Sequence, residues 1–225
     1  MNAIDPDGRN GILTIDKKNH TIIIESTIHY SKEDFANSRN FTGEHTLTEF
    51  VDGLASVIMD NFKTGDVEVY GETYTVSTVV NFQPHDTNES RDEAISSGDD
   101  KIEFMPKGLN NGGYTPGYLN KGGTFNIPKS DSSINSPTMT HEFGHSFGLT
   151  HEDGIIYEDP GPVLANGGKT GKRGSLMTYA SLRTMDVAEM SKVVSPAVRM
   201  AHKKKRKKPL KYRVYKYGAP KRIKK

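Results

Sequence analysis

Two β-branched runs open the patterned part of the chain. Residues 12–30, ILTIDKKNHTIIIESTIHY, place them either side of a polar break at 16–19, which predicts a hairpin whose second arm, 21–28, is a core strand. The period then changes. Leu47, Phe50, Val51, Leu54, Val57 and Ile58 fall on one helical stripe within 46–62, with Thr46 or Thr48 at the N-cap and Gly65 beyond the end. Residues 67–82, VEVYGETYTVSTVVNF, return to alternation with a break near Gly71. Strand, helix, strand in that order suits a sheet with a crossover helix.

Beyond this the pattern thins. Residues 83–100 are polar and acidic and read as loop, and 107–123, KGLNNGGYTPGYLNKGG, read as a long irregular loop bordering a cleft. Thr124, Phe125, Asn126 and Ile127 form a short strand stopped by Pro128, which predicts a sheet edge. Such an edge accepts an extended peptide as an added strand, so these four residues are the expected substrate edge. A last helix is expected from Met185 to about Ala201, capped by Thr184 with Asp186 in its first turn, and kinked or cut short at Pro196.

The 225 residues bound the chain to one medium domain with appendages, or at most two small ones. Only 33% of positions are hydrophobic and none is Trp, so the core is thin and a bound ion would add to stability. The absence of cysteine excludes disulfides, a Cys nucleophile and thiolate zinc ligands. No apolar run approaches a membrane span, and the first residues lack the charged and apolar regions of a signal peptide. Export would use a non-classical route. The net charge of +2 hides two opposed parts: 202–225 holds 13 Lys and Arg and no acid, while the first 201 residues carry 17 basic against 28 acidic.

Chemistry concentrates at 141–151, HEFGHSFGLTH. On a helix, residues four apart share a face, so His141 and His145 stand one turn apart where two imidazoles can hold one Zn²⁺. Glu142, one step round the cylinder, is placed to take a proton from an attacking water. Gly148 can adopt positive φ and end the helix, letting His151 return as third ligand and leaving a fourth position open, as in a catalytic zinc site. Ser136 as N-cap and Pro137 at the first helical position mark the start. Elsewhere His20 and His29 read as turn or strand residues, and His85 with Asp86 as a weak second ion site on a solvated loop.

The extended motif together with Ser175, Leu176, Met177, Thr178 and Tyr179 resembles the metzincin metallopeptidases, whose helix is followed by a Met-turn. The resemblance implies an α+β, zincin-like fold: a twisted mixed β-sheet with an amphipathic scaffold helix, an active-site helix and a C-terminal helix. It also implies one catalytic zinc ion, Met177 beneath the three histidines, and Tyr179 as oxyanion donor in the manner of the astacin and serralysin branches. Glu152 matches the astacin position whose glutamate meets the mature amino terminus, a role not carried over because the chain shows no recognisable astacin propeptide boundary and has no cysteine for disulfides. At the start, Asn2, Ile4, Asp5, Pro6, Asp7 and Gly8 resemble the end of the RHS-repeat core of bacterial polymorphic toxins, after which a toxin domain follows.

Three segments are therefore expected: 1–11 as an RHS-core-like linker, 12–201 as the catalytic domain and 202–225 as a basic tail. The expected function is a zinc endopeptidase acting on protein substrates, secreted or delivered into a target cell from an RHS shell and neutralised by a cognate immunity protein. The tail, with Tyr212, Tyr215 and Tyr217 among its cations, is either a disordered solubilising arm or a surface for nucleic acid, anionic membranes or acidic partners. A rival reading makes that tail primary and the zinc structural only.

Overall fold

The computed structural model describes residues 9–38, 45–62, 66–95, 99–105, 113–115, 122–128, 138–147, 149, 185, 187–204, 208–215 and 221–223. Its spine is β2 (Thr21–Ser31), in which Ile22, Ile24 and Ile28 are buried and the intervening positions 21, 23, 25 and 27 are half-exposed. That alternation sets one face of the strand toward the core.

One edge of β2 pairs in parallel along its whole length with β4 (Glu72–His85). The opposite edge is shared. Its first half takes β1 (Arg9–Asp16) antiparallel, closing the expected hairpin, and its end takes β5 (Asp100–Met105) in parallel. The sheet forks from there. One arm runs from β1 to β8 (Leu210–Tyr215) and β9 (Lys221–Arg222); the other runs from β5 to β7 (Thr124–Pro128) and β6 (Gly113–Thr115). A short β3 (Asp66–Val69) pairs with the start of β4. The architecture is thus a mixed nine-stranded sheet with helices, compatible with an α+β class.

Among the described residues five helices accompany it: α1 (Lys32–Asn37), α2 (Leu47–Asn61), α3 (Asn88–Ala94), α4 (Thr138–Ser146) and α5 (Val187–His202). Thr46 is the N-cap of α2 in a full capping box with Glu49, and the predicted stripe buries Phe50, Val51, Leu54 and Ile58. These side chains share one core with the inward residues of the sheet and the buried faces of α4 and α5.

Several expectations are corrected. Residues 83–100 are not all loop: β4 continues to His85, and α3 follows from a Thr87 cap, its Arg91 buried and donating to the Ile102 carbonyl at 3.1 Å. The irregular stretch 107–123 contains β6. That strand pairs with Thr124, Phe125 and Asn126 while β5 pairs with the other side, so β7 is an inner strand and its four residues are not the edge. Pro196 does not end α5, because it sits on the exposed side while Met190, Val193, Val194, Ala197, Val198 and Ala201 hold the other side in the core. Strands also occur within both expected flanking segments. β1 begins at Arg9, inside 1–11, and residues 210–215 of the basic segment form a strand hydrogen-bonded to β1 with Leu210 and Tyr212 buried. A strand with one apolar face and an open partner edge gains more from pairing than from solvation.

Candidate metal centre

Helix α4 is buried on nearly every side, and its sequence decides which face meets what. At about 100° per residue, Phe143 and Phe147 project roughly opposite to His141 and His145. Phe143 packs edge-on to Phe62 with ring centres 4.8 Å apart and stacks at 6.5 Å on Phe125 of β7; Phe147 lies 5.6 Å from Phe62. Thr140 donates to the Val57 carbonyl of α2 at 3.0 Å. This anchoring turns the histidine face away from the aromatic cluster.

His141 is 2% exposed and Glu142 9%, so the helix carries two ionisable side chains into the interior. Burial of such groups is costly unless they are partnered. The rings of His141 and His145 have centres 4.8 Å apart and stand at 88° to one another. His145 Nδ1 lies 2.8 Å from the carbonyl oxygen of Leu149. A carbonyl only accepts, so Nδ1 carries a proton, and whenever the ring is neutral the lone pair is on Nε2.

The acceptor is in place because of how the helix ends. The amide hydrogens of Phe147 and Leu149 both reach the Gly144 carbonyl at 3.1 Å. The bond from Leu149 is a six-to-one closure of the Schellman kind, which turns the chain back over the last helical turn. Gly148, His151, Met177 and Tyr179 lie outside the described residues, as do Ser136, Pro137 and Glu152. Among the described residues no group of three or more His, Asp or Glu stands together as a metal site, and the assigned ligand set includes His151, which is not among them.

One polar cluster escaped sequence reasoning. His29 Nδ1 lies 2.8 Å from His85 Nε2, and His29 Nε2 lies 3.4 Å from the Asp99 carboxylate. The positions are 56 and 70 residues apart, so no local spacing announces them. Asp86, paired with His85 as a weak ion site in the sequence, instead meets Lys32 at 2.7 Å. Desolvation first, and then His29 and Arg91, push His85 below the ordinary histidine value, opposed by Asp86.

No protein-family model matches the chain, and no curated protein matches it. No family is shown. A solved structure described as "Structure of a chaperone-substrate complex" is similar at 13% identity and a TM-score of 0.37, over 80% of this chain and 35% of that one. The chain therefore spans about a third of that neighbour's length. A likeness at this level carries no argument about fold or function. Among the described residues no helix is long and apolar enough to cross a membrane.

Proposed function

We propose that the chain is a zinc-dependent endopeptidase in which His141, His145 and His151 hold the ion and Glu142 is the general base. The observation that carries this reading is the geometry of the histidine pair. Two imidazoles sharing one tetrahedral ion at roughly 2.0–2.1 Å per nitrogen set their ring centres about 5 Å apart, close to the 4.8 Å found. A backbone carbonyl on the distal nitrogen, as on His145, is the usual way a ligating histidine is oriented. Nitrogen donors of this kind suit Zn²⁺.

When bound, Zn²⁺ would polarise the scissile carbonyl and bring the pKa of the attacking water to about 7. Glu142 accepts the proton from that water and returns it to the leaving amine. Tyr179 is proposed to donate a hydrogen bond to the developing oxyanion, and Met177 to floor the site. The substrate edge moves outward from β7 to β6, which is antiparallel, stands at the end of its arm and is in contact with α4. A peptide laid along β6 would extend the sheet beside α4. Delivery as the toxin domain of an RHS-type protein, countered by an immunity protein, is supported by the resemblance in the first residues.

Glu142→Gln tests the mechanism. Zinc content by mass spectrometry should stay near that of the wild type, while hydrolysis of a peptide library falls about 10²- to 10⁴-fold. Wild-type hydrolysis by this variant would remove Glu142 from the chemistry, and a wild-type protein that holds no zinc would remove the whole reading.

A further inference from the structure

Three segments converge at the end of the sheet where β2 begins: the β1–β2 turn, the β3–β4 turn and the end of α5. Tyr74 and His202 join them. The Tyr74 hydroxyl donates to Glu72 at 2.7 Å and accepts from His202 Nε2 at 3.0 Å. Lys17 ties in the first turn by donating to the carbonyls of Ala201 at 3.2 Å and Lys204 at 2.6 Å, neutralising the negative end of α5.

Against this scaffold Tyr70 is 57% exposed, with its ring centre 5.9 Å from that of His202. Tyr70 and Gly71 both have positive φ, 55° and 74°, the pair of values a tight hairpin turn demands. The ring is thus presented from a fixed turn. Lys18, which follows Lys17 in the first turn, and Lys203 and Lys204, which follow His202 directly, are exposed, as is Arg199 near the end of α5. From Met185 onward the chain has fifteen basic residues against two acidic ones, and Glu189, one of those two, is 1% exposed. The remainder carries fifteen basic against 26 acidic residues, so the positive charge is gathered in the last part of the sequence.

We propose that this surface binds single-stranded nucleic acid, with a base stacked on Tyr70 and adjacent phosphates held by Lys18, Arg199, Lys203 and Lys204. An aromatic platform flanked by flexible cations is the chemistry such strands use, because every unstacked base has a π face and every nucleotide a phosphate. A duplex keeps its bases stacked and would leave Tyr70 unused. An anionic membrane would engage the same cations by charge alone and has no base to stack on Tyr70. The other large exposed hydrophobics among the described residues, Met59, Val79 and Val187, lie on α2, β4 and the start of α5.

The test measures fluorescence anisotropy of labelled oligo-dT and oligo-U with the full chain from 50 to 300 mM salt. Tyr70→Ala should weaken binding roughly 5- to 150-fold with thermal stability retained, and Tyr70→Phe should bind as the wild type. The double variant Lys203→Gln/Lys204→Gln should reduce the slope of log affinity against log salt by about 1.4. Peptidase activity should not change in any of the three variants, which separates failure here from failure of the catalytic reading. The proposal is overturned if neither oligonucleotide binds at 50 mM salt, or if Tyr70→Ala binds as the wild type. It is equally overturned if vesicles rich in phosphatidylserine bind more tightly than the oligonucleotides and lose nothing with Tyr70→Ala.

Discussion

A Cβ on Gly122 would lie 1.6 Å from the carbonyl oxygen of Asp99 and 2.8 Å from the Asp100 nitrogen. Both are backbone atoms, so no rotamer change relieves the contact. Gly122→Ala is expected to cost about 3 kcal/mol in a urea titration, since the two segments must separate. Gly113→Ala, where a Cβ meets nothing within 4 Å, is the control and should cost far less. Equal losses in the two variants would show that the close approach does not matter. At this scale the sequence was legible where chemistry is local: His141, Glu142 and His145 announce themselves by spacing along one helix. It was silent where neighbours are remote, as for Gly122 against Asp99 or His29 against His85.

Among the elements, β8 departs most from what composition suggests. A run of cations looks like a solvated arm, yet Leu210 and Tyr212 alternate with Lys211 and meet β1 in register with Ile15 and Leu13. Each of the two buried side chains contributes about 1.5–3 kcal/mol, a large share of the roughly 5–15 kcal/mol that holds a domain folded. Removing 209–225 should therefore lower the melting temperature sharply or abolish a cooperative melt by circular dichroism. An unchanged melt would make β8 dispensable. The hairpin β1–β2 and helix α2 were readable because period and cap lie within a few residues. Helix α3 was missed because six of its seven residues are polar and its anchor is a buried arginine, which hydrophobic patterning does not register.

For the whole molecule, the His29 and His85 contact joins the ends of β2 and β4 beside Asp99, with Arg91, Asp86 and Lys32 close by. Because the folded state holds His85 below its ordinary value of 6.5, the unfolded chain takes up the proton first as pH falls. Stability is then highest above 6.5, declines as pH drops through that value, and levels off once the folded form is protonated too. Urea titrations at pH 7.5 and 5.5 should show this decline, and His85→Gln should flatten it. An unaltered difference between the two pH values in that variant would place its origin elsewhere.

What the sequence determined by itself was set by short-range rules: the hairpin, the capped helix and the one-turn spacing of the two histidines follow from periodicity and from backbone amides near a cap. Tertiary structure decided which of the described strands stands at the edge, that the basic segment enters the sheet, and which face of α4 packs on the aromatic cluster. Those outcomes depend on pairing partners and packed rings far apart in the chain, and no local pattern encodes the contact between them.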